Sequence, residues 1–208
     1  MSNNNRPTVI FFVRHGQTEW NKIRRWQGQT DIPLSEAGIL QAQEVAQHLK
    51  DHTFDVIISS DLLRAAQTAA IINEHHKHEI KLEPLLREQH HGIAQGLMRD
   101  EVPQRFCHVE HKPLGQPEPE YLIPQAETYV QLVDRASKVL HHIIDTHAGK
   151  TVLLIAHGGL IRSLIRYALK NHQIPVEMEN CGIAHFHHDK ELLFIGFLDD
   201  GSKIGHDE

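Results

Sequence analysis

Val9-Ile10-Phe11-Phe12-Val13-Arg14-His15-Gly16 and Thr151-Val152-Leu153-Leu154-Ile155-Ala156-His157-Gly158-Gly159 share one design: a short apolar run, then His, then Gly. Each run is β-branched or aromatic, which suits a strand buried on both faces. Each Gly marks a sharp exit from a sheet. In an open parallel sheet, ligands bind in the crevice outside the carboxyl ends of the strands, so both imidazoles are expected at the end where chemistry sits. A third run, Asp55-Val56-Ile57-Ile58, ends in Ser59-Ser60-Asp61 and delivers Arg64 to the same end.

Working outward, the chain alternates strands and helices. Ser35 is positioned to cap a helix whose stripe is Ala42, Val45, Ala46 and Leu49. Asp61 is expected to cap the next, which carries Leu62, Ala65, Ala66, Ala69 and Ile72. A short strand near Ile80 to Leu82 leads to Leu85-Leu86-Arg87-Glu88, read as a strand exit. Val133, Ala136, Leu140 and Ile144 mark a later helix, and Leu160 to Leu169 another. Ala184 to His187 and Leu192 to Phe197 read as a hairpin around Asp189-Lys190. The expected fold is α/β: a three-layer sandwich with a mostly parallel central sheet, an antiparallel edge and helices on both faces. Between Arg99 and Gln125 the pattern breaks, and Pro103, Pro113, Pro117, Pro119 and Pro124 fall here, five of the nine prolines. That stretch reads as a lid or insert in one domain spanning 1–208, because neither side completes a sheet alone.

Composition narrows the function. Lys and Arg total 21 against 27 Asp and Glu, a formal charge of −6, which argues against wrapping nucleic acid. The polar start and the lack of a long apolar run exclude a signal-peptide core and a membrane span, so a cytoplasmic protein without membrane partners is expected. Cys107 and Cys181 make no disulfide framework. The 19 histidines show no H-E-x-x-H or similar ligand spacing, so no metal is expected. The polar tail from Asp199 is expected to be loose. Oligomeric state is not legible.

The residues at the strand ends suggest chemistry on an anion. Arg14 offers a planar fork suited to phosphate or carboxylate, and His15 can act as nucleophile or base. The alternative is a surface Arg beside a hydrogen-bonded His. Arg64 stands in the first turn of its helix, where a cation is disfavoured by a few tenths to about 1 kcal/mol; an anion bound between Arg64 and Arg14 would remove the conflict. His157 precedes two glycines and a helix start, whose N–H groups favour anions. Glu88 is the candidate proton donor, with partial burial expected to raise its pKa.

Arg14-His15-Gly16-Gln17-Thr18-Glu19-Trp20-Asn21 resembles the R-H-G signature of the histidine phosphatase superfamily, the phosphoglycerate mutase-like proteins. The resemblance continues in order through Gln27 to Gly38, Ser59 to Ala69, Leu86-Arg87-Glu88, Ala126-Glu127-Thr128 and Ala156-His157-Gly158-Gly159. It implies that His15 attacks phosphorus and becomes phosphohistidine. Arg14, Arg64 and His157 would hold the phosphoryl oxygens, and Glu88 would protonate the leaving alkoxide. The implied phosphate-binding set is Arg14, Asn21, Gly28, Arg64, His157 and Gly158. No cofactor is implied, and the partner is a small phosphorylated molecule. Phe12 stands where an aliphatic residue is usual, Gln125 where a glycine often precedes the family's Glu-Ser pair, and Thr128 where Ser is usual; the pair His90-His91 after the acid is also atypical. Two other readings stay open: a cofactor-dependent phosphoglycerate mutase, and a non-catalytic protein that binds phospho-ligands.

Overall fold

Thr8–Arg14 forms strand β1 inside a six-stranded sheet. The computed structural model describes residues 6–189 and, for the backbone, 192–197. After β1 come helices α1 (Glu19–Lys22) and α2 (Glu36–Leu49), strand β2 (Val56–Ser59), helix α3 (Leu63–Asn73) and strand β3 (Ile80–Leu82). Helices α4 (Val102–Arg105) and α5 (Tyr129–Thr146) precede strand β4 (Thr151–Ala156) and helix α6 (Gly158–Ala168), and strands β5 (Ile183–Asp189) and β6 (Leu192–Phe197) follow. The sheet order is β3-β2-β4-β1-β5-β6; the first four strands are parallel, and β5 and β6 run antiparallel as the edge hairpin. The expected mostly parallel sheet with an antiparallel edge is therefore observed. Lys190 of the expected hairpin turn, the start Met1 to Asn5 and the tail from Asp199 lie outside the described residues.

Strand period 2 sorts the core into two halves. Ile10, Phe12, Val56, Ile58, Val152 and Leu154 face α5 and α6, whereas Val13, Ile57, Leu153 and Ile155 face α2 and α3. Phe12, the bulkier residue in β1, is fully buried and packs on Phe186 of β5, ring centroids 4.8 Å apart. β4 is buried almost throughout, but Val9 and Phe11 of β1 are only half-buried, which corrects the expectation of burial on both faces. Phe11 is instead flanked by the rings of Phe54, His52 and His185.

Helix ends show which local signals hold. Ser35 accepts the Gly38 N–H at the start of α2, as expected. Thr128 and Gln131 form a reciprocal capping box on α5. Asp61, however, does not cap α3. It makes a two-point ion pair with Arg87, and the Leu63 N–H donates to Asp31 Oδ1 at 2.6 Å. Leu85-Leu86 is no strand: Pro84–Leu86 is a single 3₁₀ turn. The stretch between β1 and α2 contains α1, capped by Thr18 with Asn21. The insert from Arg99 to Gln125 is tied to α6, because both Arg166 Nη groups donate to Glu118 at 2.6 and 2.8 Å.

Burial lowers the pKa of His15, His76, His91, His147, His157, His172 and His185. Their folded-state values lie below the unfolded one, so the unfolded chain takes up more protons as pH drops through 6.5, and stability falls with it. His91 alone, at about 4, withdraws on the order of 2 kcal/mol by pH 5. Thermal unfolding followed by circular dichroism should therefore show a midpoint that falls by several degrees from pH 7.5 to pH 5; a flat profile would contradict the burial of these imidazoles.

Candidate active site

The carboxyl ends of β1, β2 and β4 bring the expected groups together. The His15 N–H donates to Ala156 O, and the Ser60 N–H to Ile155 O, so adjacent strands lock the three exits in register. His15, Arg64 and His157 are each buried to within 3% of full burial. His15 Nδ1 lies 2.7 Å from the Gly16 carbonyl oxygen. A carbonyl only accepts, so Nδ1 carries the proton and Nε2 carries the lone pair. That lone pair accepts from Arg64 Nε at 3.2 Å. The same Nε–H is shared with His157 Nδ1, also at 3.2 Å, which leaves His157 Nε2 to donate to Ser60 Oγ at 2.8 Å. Burial, with Arg64 and Arg14 nearby, holds the pKa of His15 well below the usual imidazole value, and burial with Arg64 and His15 does the same for His157. Both rings are neutral at pH 7.

Arg64 does not point into water. Its Nη1 and Nη2 donate to Thr30 O at 2.9 Å and Gly28 O at 2.7 Å. Burial lowers its pKa to about 10, so it stays charged. Gly28, expected in the phosphate-binding set, holds Arg64 through its carbonyl, an atom that would repel phosphate. Its φ is +52° and a Cβ there would lie 2.3 Å from Gln95 Oε1, so glycine is favoured at this turn.

Arg14 anchors through Nη1 on Met178 O, while its buried Nε has no hydrogen-bond partner among the described residues. Gly158 admits Arg14, since a Cβ would stand 3.2 Å from that Nε. A buried, unpaired guanidinium N–H beside a nucleophilic nitrogen is suited to an anionic oxygen. Asn21 lies at this end too, but its Oδ1 is taken by Thr18 and approached by Asn180 Nδ2 at 3.4 Å, so only its amide N–H groups remain for a ligand.

Glu88 corrects the expectation of a raised pKa. Burial does push it up, but Arg162 and the N–H groups of Gly159 and Gln89, with His91, outweigh that and hold it below the usual carboxylate value. The Gly159 N–H donates to Oε2 at 2.9 Å and the Gln89 N–H to Oε1 at 2.8 Å. The helix N-terminus expected to receive a ligand anion thus receives this carboxylate as well. The Glu88 carbonyl accepts from Gln29 and from Arg135, which is itself held by both oxygens of Glu127. The Ala126-Glu127-Thr128 block therefore supports the acid. Gln125 before it has φ +63°, a conformation that favours glycine.

Reading by motif missed Arg162, Asn180 and Ser60. Arg162 lies four residues after Gly158, on the same helix face, and acts electrostatically on Glu88 and Arg14. Asn180 donates to the His15 carbonyl at 3.0 Å from a loop with no local signal. Among the described residues, no group of three or more His, Cys, Asp or Glu is placed to hold a metal ion, and no helix is long and apolar enough to cross a membrane.

The sequence profile of the histidine phosphatase superfamily (branch 1) matches residues 10–198. The uncharacterized phosphatase PhoE of Bacillus subtilis is 35% identical over 159 residues, 76% of this chain and 76% of its own length. The probable phosphoglycerate mutase GpmB of Proteus mirabilis is 35% identical over 183 residues, 84% of this chain and 82% of its own. Among solved structures, a phosphoserine phosphatase mutant from Entamoeba histolytica, in complex with phosphoserine, superposes with a TM-score of 0.78 and 26% identity, covering 93% of this chain and 98% of its own.

Gly159 gives a test of the carboxylate anchor. A Cβ there would lie 2.3 Å from Glu88 Oε1, and only the mobile carboxylate can yield. Alanine is also the better helix former, by about 1 kcal/mol. Gly159→Ala should leave the unfolding temperature unchanged or higher while phosphomonoester turnover falls roughly 100-fold. Unchanged turnover would show that the position of Glu88 is immaterial.

Proposed function

Because this chain belongs to branch 1 of the histidine phosphatase superfamily, we propose that it hydrolyses phosphomonoesters of small metabolites through a phosphohistidine on His15, with no metal or cofactor. The observation that carries this reading is the fixed tautomer of His15: the Gly16 carbonyl holds the Nδ1 proton and leaves Nε2 as a lone pair facing Arg64, with Arg14 nearby. The phosphatase names among its relatives support the hydrolytic class.

In the first step His15 Nε2 attacks phosphorus, the P–O bond to the leaving group breaks, and Glu88 passes a proton to the departing oxygen. In the second, water attacks phosphorus, its proton goes to Glu88, the P–N bond breaks and inorganic phosphate leaves. Arg14 Nε and Arg64 Nε supply donors to the phosphoryl oxygens. Fixed donors of this kind are usually the largest catalytic contribution, with one donor worth roughly 3 kcal/mol. Phosphoryl oxygens beside His157 raise its pKa, and a proton taken up from solvent turns its Nδ1 from acceptor to donor. Glu88 is ionised in the resting site, so the proton it needs enters with the substrate. A phosphomonoester carries that proton below its second pKa of about 6.

A cleft lined by Gln89, His91 and the insert opens to solvent along exposed Leu122 and half-buried Tyr121, and water entering by it would favour hydrolysis over mutase chemistry. Phosphoglycerate should be hydrolysed at the same rate with and without added bisphosphoglycerate.

Hydrolysis of p-nitrophenyl phosphate should survive EDTA and vanish in His15→Ala. Loss of activity on EDTA addition would overturn the metal-free account. For alkyl phosphates, kcat/KM should decline above about pH 6, as the shared proton is lost, and should hold well below pH 6.5, because His15 stays unprotonated. Glu88→Gln should cost alkyl esters at least ~100-fold more than p-nitrophenyl phosphate, whose leaving group needs little protonation. An equal loss on both would remove Glu88 from the acid role.

A further inference from the structure

A cavity of about 160 Å3 opens between the insert, Trp26 of the loop that follows β1, the segment just after Glu88 and the residues that lead into α5. Gln89, the next residue after Glu88, and His91, three residues after it and close enough to act on its charge, line it. A group that protonates the leaving oxygen stands between the phosphorus and whatever that oxygen carries, so the space beside Glu88 receives the leaving group.

Aromatic rings and aliphatic side chains form much of the wall of that space, and no Lys or Arg lines it. Trp26 and His91 lie against each other with ring centroids 4.4 Å apart, and Tyr121 meets Trp26 edge-on at 6.2 Å. Val109, Leu122 and Ile123 add aliphatic surface. Three carboxylates border the cavity, and each is already engaged. Glu118 is paired with Arg166 and Arg162, Glu127 with Arg135, and Glu120 accepts from Gln116 and the Tyr129 N–H. His91 is neutral at pH 7, since burial brings its pKa down to about 4. The cationic residues Arg24 and Arg99 sit elsewhere, around a separate depression formed with Ile23, Met98 and Asp100.

We infer that the cavity selects the leaving group, and that the group it selects is a single uncharged aromatic or flat heterocyclic ring borne on the esterified alcohol. The inference rests on the phosphatase reading, because that reading makes Glu88 the acid. A cavity of about 150 Å3 holds one benzene-sized ring, and the Trp26, His91 and Tyr121 rings, tilted to one another by 41° and 64°, offer it both stacking and edge contacts. No Lys or Arg lines this space, so an anionic leaving group would have to compete with Glu118 for Arg162 or turn toward Arg24 and Arg99. Trp26, His91 and Tyr121 are thus specificity-determining residues, and the atypical histidine at 91 supplies one of the ring's contacts.

The test compares binding of three non-hydrolysable phosphonates by titration calorimetry: benzylphosphonate, methylphosphonate and 3-phosphonopropionate. Benzylphosphonate should bind at least ~10-fold tighter than either of the others. That ratio should shrink to less than about 3-fold in Trp26→Ala and in Tyr121→Ala, and return in Trp26→Phe. Tyr121 lies at the rim, so its variant keeps the test open if Trp26→Ala fails to fold. Equal binding of the benzyl and methyl compounds, tighter binding of 3-phosphonopropionate, or a ring preference unaffected by both alanine variants would overturn the proposal. Hydrolysis of benzyl phosphate is measured in parallel. Ring preference in binding with no hydrolysis would sink the phosphatase reading and leave the ring-binding pocket standing.

Discussion

Everything at the active end depends on one buried cation. The guanidinium of Arg64 is removed from water with no carboxylate in contact, an arrangement that costs several kcal/mol unless its donors are satisfied. Two backbone carbonyls, from Gly28 and Thr30, and two imidazole nitrogens satisfy it. The conformation of the loop after β1 is therefore set by the need to bring both carbonyls to one side chain. The tautomers of both histidines are set by it as well, because each must present a lone pair to the same N–H. What remains uncompensated is charge, and that excess is what a phosphoryl group would meet on arrival.

The acid is held by a second set of constraints that runs through different parts of the chain. Glu88 is gripped at its carboxylate by the start of α6 and at its carbonyl by Gln29 and Arg135. Arg135 is in turn fixed by Glu127, just before the Thr128 cap of α5. The insert joins the same framework through Glu118, which spans Arg162 and Arg166 on α6. The helix that follows β4 thus carries Glu88 on its first turn and the insert on its later turns. Displacement of α6 would disturb both.

Much of this was legible in advance. The paired apolar-His-Gly runs placed β1, β4 and both imidazoles, and Ser59-Ser60-Asp61 located the approach of Arg64. The stripes of α2, α3 and α5 matched their buried faces. Local rules failed where a distant partner offered a better bond. Asp61 has the right position to cap α3, yet bidentate pairing with Arg87 is the stronger interaction, and Asp31 takes the exposed N–H instead. Gly28 was legible as a site residue but not as the support of Arg64, because its carbonyl direction follows from a left-handed turn that the residue name merely permits.

The sequence by itself determined most of the strands, the helix faces, the common end of the three strand exits and the candidacy of His15, Arg14, Arg64, Glu88 and His157. These are readable because periodicity and His-Gly punctuation are properties of neighbouring residues. The tertiary structure alone decided the ionisation of Glu88, the lone pair on His15, the anchoring by Asn180 and Arg162, and the aromatic cavity formed by Trp26, His91 and Tyr121. Each of those is a sum over groups far apart in the chain. The electrostatic balance at Glu88 adds contributions from residues 89, 91, 159 and 162, and no local pattern records which of them arrive.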